Sequence, residues 1–143
     1  MTREIKFRGK RIDKDVFVFG DILTGMGYKK GKFYILPHLT YYPGDCNSLD
    51  GYEVIPETVG QFTGLLDKNG KEIYEGDVIR TKRYGVVHGQ SNTQGADLFR
   101  VVYKNAQFYI DNKLRHFYLQ DSKCNEVIGN IHDNPELLKA ETL

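Results

Sequence analysis

The stretch that most constrains the fold is residues 62–79, FTGLLDKNGKEIYEGDVI. It predicts a strand, a tight turn and a second strand. Asp67-Lys68-Asn69-Gly70 places Asn and Gly where a hairpin turn needs positive φ: Gly has no Cβ to clash there, and Asn tolerates that region better than most residues. The flanks, 62–66 and 72–79, carry aromatic and β-branched residues in partial alternation, as strands do. Gly76-Asp77 interrupts the second run before Val78-Ile79, which predicts a bulge or sharp bend.

The same plan occurs near the start of the chain. Phe7-Arg8-Gly9, Asp13-Lys14 and Gly20-Asp21-Ile22-Leu23 mirror Phe62-Thr63-Gly64, Asp67-Lys68 and Gly76-Asp77-Val78-Ile79. Further on, YKKGKFYI from Tyr28 matches YKNAQFYI from Tyr103, and Glu53-Val54-Ile55 matches Glu126-Val127-Ile128. Matches in one order at related spacings predict a tandem duplication over about 4–60 and 61–133, with residues inserted between Arg80 and Arg100 in the second copy. A chain of 143 residues then forms a single domain of two related halves.

Ten Tyr, eight Phe and 15 Gly favour strands and turns over helices. The expected fold is mainly β: two hairpin-led halves forming bent sheets or a small barrel, with a short C-terminal helix, and α+β as the alternative. Strands are expected at 4–12, 16–23, 32–36, 52–55, 81–87, 97–104, 107–111 and 126–132. Val16-Phe17-Val18-Phe19, apolar on both sides, predicts a central strand covered on both faces. Residues 88–96 lack an apolar anchor and predict a mobile loop, and 113–120 (KLRHFYLQ) fits a strand or a short helix. Asn134-Pro135-Glu136 opens a helix over about 134–141 with a capping side chain, Pro at the first helical position and an acid in the first turn.

The balance of 20 Lys and Arg against 19 Asp and Glu hides segments of opposite sign. Residues 1–33 carry a net +5, 45–79 a net −6, 80–115 a net +5 and 121–143 a net −3. Such segments pair within a monomer or across a subunit contact, which makes a homo-oligomer the expectation. They could also form a basic face for phosphates where Lys29, Lys30 and Lys32 meet Arg80, Lys82, Arg83 and Tyr84. Interleaved aromatics beside those cations are what single-stranded nucleic-acid binding by stacking requires. No apolar run is long enough for a membrane span, and no leader pattern opens the chain, so a cytoplasmic location is expected. Cys46 and Cys124, far apart and in no CxxC, predict reduced thiols.

Chemistry is hard to find. His38, His88, His116 and His132 are isolated and in no ligand spacing, so neither a metal nor another cofactor is expected. Cys46 has no local base. Asp21 and Asp77, equivalent under the duplication, would make a carboxylate pair, but a Gly-Asp at a bend more simply accepts hydrogen bonds from local backbone N–H groups.

Three stretches, REIKFRGK near the start, VIPETVGQFTGLLDKNGKEIYEGDVI in the centre and VIGNIHDNPELL near the end, strongly resemble the YopX-like family of phage and prophage proteins. Residues 24–50 and 81–120 diverge. The resemblance implies a small, soluble accessory protein in a bacterial host cell and brings no catalytic residues with it. What carries over is the motif Pro56, Glu57, Thr58, Gly60, Gln61, Phe62, Gly64, Gly76 and Asp77, whose glycines point to backbone geometry. The expected function is a non-enzymatic macromolecular binding module with an unknown protein or nucleic acid as partner. Single-stranded nucleic-acid binding is the alternative, and an enzyme of unknown type the third reading.

Overall fold

A computed structural model describes residues 4–24, 31–37, 51–81, 86–87, 90–91, 97–112, 116–120 and 123–139. The chain is mainly β and divides into two compact units, residues 1–62 and 63–143. Among the described residues its larger sheets are antiparallel, one of six strands and one of five, and the six-stranded sheet bends far enough for Val54 in its end strand to bridge Arg11. Of the two architectures expected, bent open sheets are found and the closed barrel is not.

In the first unit β1 (Phe7–Lys10) pairs with β2 (Phe17–Thr24), β2 with β3 (Phe33–Pro37) and β3 with β4 (Tyr52–Val54). Alternation sends Ile35 and Val54 inward, where both are buried. β2 is central in pairing but not covered on both faces, because Phe19 is 46% exposed. Its apolar run reflects rings that lie against cations: the Arg8 guanidinium sits 4.8 Å and Lys10 Nζ 5.8 Å from the Phe17 ring. A 3-10 turn, Pro56–Thr58, then leads into β5 (Gly60–Leu66).

β5 crosses the boundary between the units. Its start pairs with β1, Gly60 opposite Arg8 and Gln61 opposite Phe7. In the second unit it is followed by the expected turn and β6 (Glu72–Tyr74). Gly70 lies at φ 80°, a conformation that costs a residue with a Cβ. The interruption at Gly76 is a strand break: β6 ends, Gly76 turns at φ 92°, and β7 (Asp77–Thr81) starts in the other sheet.

β7 is flanked by β10 (Asp97–Lys104) and β13 (Glu126–Asn130), and β11 (Gln107–Asp111) and β12 (His116–Tyr118) complete the sheet. Register puts Ile79, Phe99, Val101, Ile110 and Val127 on one face, where the first four are fully buried with Ile73 and make the core of this unit. Phe99 and Phe117 meet edge to face at 5.9 Å. Within 81–96 the described residues include a two-strand ribbon, β8 (Val86–Val87) with β9 (Gln90–Ser91), in place of part of the expected loop. The helix is one turn, α1 (Glu136–Lys139), lying against β10. It approaches β13 closely at Gly129, where an added Cβ would come within 2.5 Å of Asn134 Oδ1 and 2.9 Å of Leu137 Cδ1. Asn134 Oδ1 accepts a hydrogen bond from the Asn130 backbone N–H at 3.3 Å, turning back to the strand.

Candidate functional site

The motif positions are occupied with backbone geometry. Thr58 is buried and its hydroxyl donates to the Ile55 carbonyl at 2.6 Å while accepting from the Lys10 N–H at 2.9 Å, which ties the 3-10 turn to β1. Phe62 is buried beneath Lys6, whose Nζ lies 5.3 Å from the ring centre. The Gly76 N–H donates to the Val101 carbonyl at 2.8 Å, and its carbonyl accepts from the Ile131 N–H at 2.9 Å. Asp77 Oδ2 accepts from the Tyr74 N–H at 2.8 Å, the local backbone use expected of a Gly-Asp bend. Asp21 by contrast is exposed on β2.

The turn of the central hairpin is held by Asp67, a buried carboxylate. Its Oδ1 accepts from the N–H groups of Asn69 at 2.8 Å and Lys71 at 2.9 Å, and Oδ2 from Val127 of β13 at 3.0 Å. Burial alone would raise its pKa, but the backbone donors Val127, Lys71 and Asn69 together hold it below the ordinary carboxylate value.

Of the cations and the tyrosine expected to form a basic face, Lys29, Lys30, Lys82, Arg83 and Tyr84 lie outside the described residues, as do Cys46, His38 and His88. Lys32, in the first unit, is exposed and ion-paired with Glu53 at 3.3 Å. Arg80, in the second, is exposed on β7. Among the described residues no group of three or more His, Cys, Asp or Glu side chains is arranged to hold a metal ion.

A different surface carries chemistry-bearing side chains together. The alternation that buries Val101, Ile110 and Phe117 turns their neighbours to the opposite face of the second sheet. Cross-strand rows follow there in succession: Lys104 with Gln107; Val102, Tyr109 and Tyr118; Arg100, Asp111 and His116, with the buried Val78 of β7 at the inner end; then Leu98 with Arg80 and Glu126. The Tyr109 and Tyr118 rings stack at 5.0 Å and 29°, and His116 lies 6.1 Å from Tyr109. Lys104 Nζ sits 5.3 Å from the Tyr109 ring centre. Tyr118, on the edge strand, is 58% exposed. A shallow hollow of about 290 Å³ is lined by Tyr109, His116, Phe117, Tyr118 and Gln120.

Two ionisable groups on this face are tuned by their neighbours. Burial first, then a hydrogen bond with the Tyr118 phenol, hold the Tyr109 phenol above its ordinary value. Asp111 bonds Arg100 Nε at 2.6 Å, and that hydrogen bond raises the pKa of Arg100. The face as a whole can stack planar rings and attract negative charge. Sequence reasoning missed it because residues 113–120 fit two secondary structures. The usable signal was the alternation His116, Tyr118, Gln120 against Phe117, Leu119, which has the period of a strand.

A family model described as YopX protein matches residues 6–139. The fold is also that of a solved structure, protein EF1440 from Enterococcus faecalis, at a TM-score of 0.58 and 21% identity, over 96% of this chain and 99% of that one. No curated protein sequence matches the chain.

Proposed function

We propose that this chain, which belongs to the YopX family, is a prophage-type accessory protein and a non-enzymatic macromolecular binding module. Its contact surface is the outer face of β10, β11 and β12. One observation carries the reading: side chains that could have been small and polar on a solvated face are instead a stacked tyrosine pair, a histidine and a lysine set over one of the rings. Exposed aromatics beside cations are the composition of recognition surfaces, because they offer large contact area at little entropy cost.

The test is a backbone-amide NMR spectrum recorded against a panel of single-stranded and duplex oligonucleotides and acidic and neutral peptides. Resonances of residues 98–111 and 116–120 should move with at least one member. Shifts confined to other elements, or none at all, would refute the reading. Self-association through the opposed charge segments is part of the proposal. Light scattering at tens of micromolar should give a mass above the 16.5 kDa of one chain, and a monomer mass would remove that part.

A further inference from the structure

The binding-module reading leaves the ligand open, and the geometry of the face narrows it. Resting on that reading, we propose that the outer face of β10–β12 binds a short run of single-stranded nucleic acid. One base stacks on the exposed ring of Tyr118 and its neighbour on His116, with phosphates drawn to Lys104 and Arg80. Three observations support this ligand over others.

The first is the platform. Tyr109, the cross-strand neighbour of Tyr118, stacks on it at 5.0 Å with 29° between the planes, so the Tyr118 ring is held in place before anything binds. A base that stacks on it loses little of the gain to ordering the side chain. Bases of a duplex are already stacked on one another and cannot reach such a ring, which selects an unpaired strand.

The second is charge. The segment 80–115, which supplies Arg80, Arg100 and Lys104 to this face, carries seven Lys and Arg against two acids. On the face itself Asp111 is bonded to Arg100, and Glu126, the cross-strand neighbour of Arg80, is paired with Lys68 at 3.1 Å, so each of these acids has a cation of its own. Lys104 lies over the Tyr109 ring and makes no ion pair among the described residues. A polyanion fits that balance.

The third is layout. The rows recur along the strands at about 6.8 Å, twice the rise per residue of an antiparallel strand. Cations in the first and last rows therefore bracket the aromatic rows between them. A chain with alternating rings and charges can follow that pattern, whereas an acidic peptide would use the cations and leave the rings bare.

The experiment is fluorescence anisotropy of the full chain with labelled single strands of about 12 nucleotides, DNA and RNA, at about 50 and 200 mM salt. Binding should weaken with salt. Tyr118→Ala should raise Kd about tenfold or more at fixed salt, with an unchanged circular dichroism spectrum because Tyr118 is exposed. Lys104→Gln should lower the slope of log K against log salt by about 0.7, the value for one phosphate contact on a single strand. Absence of binding at low salt, indifference to Tyr118→Ala, or equal affinity for a duplex of the same length would each overturn the assignment. If strands fail while an acidic peptide moves the amides of this face, the nucleic-acid ligand is wrong and the binding module stands; if nothing moves them, both fall.

Discussion

Removing the carboxylate of Asp67 should be the most damaging single polar change in the second unit. Three backbone N–H groups converge on it, two from its own turn and one from Val127, 60 residues later. A hydrogen bond to a charged acceptor contributes about 1.5–3 kcal/mol. After Asp67→Ala, the N–H groups of Asn69 and Lys71, both exposed residues, regain water, while that of Val127 lies in a half-buried strand. The expected loss is therefore about 2–4 kcal/mol, less than three full bonds. At roughly 3 °C per kcal/mol for a chain of this size, thermal melting should fall by about 6–12 °C at pH 7.

The pH dependence supplies the stricter test. The folded pKa of Asp67 is depressed, so its contribution is complete above the unfolded value of about 3.9 and disappears as pH falls through the folded value. The gap in stability between the parent protein and Asp67→Asn should be wide at pH 7 and close in acid. Asp13 is the control, being the counterpart of Asp67 under the proposed duplication. Its carboxylate is exposed and bonded to Arg11 Nε at 2.8 Å, a solvent-screened pair, and Asp13→Ala should leave the melting temperature unchanged within error. A parent-like melt for Asp67→Ala, or a gap that persists at low pH, would refute the reasoning.

The β10–β11 turn should respond to a gain of backbone freedom. Asn105 and Ala106 both have positive φ, 52° and 61°, so Ala106→Gly is expected to stabilise by about 0.5–1 kcal/mol, read as a higher urea midpoint. Gly129→Ala should cost about 1–3 kcal/mol by forcing Asn134 and Leu137 away from β13. Chemical denaturation checks it, and a neutral result would show that α1 lifts at no cost.

The parts of the fold legible in the sequence were those set by local rules. Asn69-Gly70 marked the turn, and 97–104 with 107–111 alternated cleanly enough to give both strands with their observed ends. The bend at Gly76 was visible too, but its consequence, delivery of β7 to a different sheet, depends on pairing with strands some 20 and 50 residues later. The role of Asp67 was hidden for the same reason, since Val127 supplies one of its three partners. Phe17 and Phe19 misled because an apolar run predicts cover by other apolar groups, whereas Arg8 and Lys10 lie against the Phe17 ring. The aromatic face went unseen because its rows cross three strands, and no window of sequence holds Lys104, Tyr109 and Tyr118 side by side.

The place of β7 between β10 and β13 also orders events during synthesis. The strand carrying Val78 and Ile79, both fully buried, leaves the ribosome well before either neighbour. It stays bare on its β13 side until residues 126–130 have been made. Messages or proteases that stop the chain short of residue 126 would leave this apolar edge as a template for other chains. Shortened products should therefore collect in the insoluble fraction of the cell.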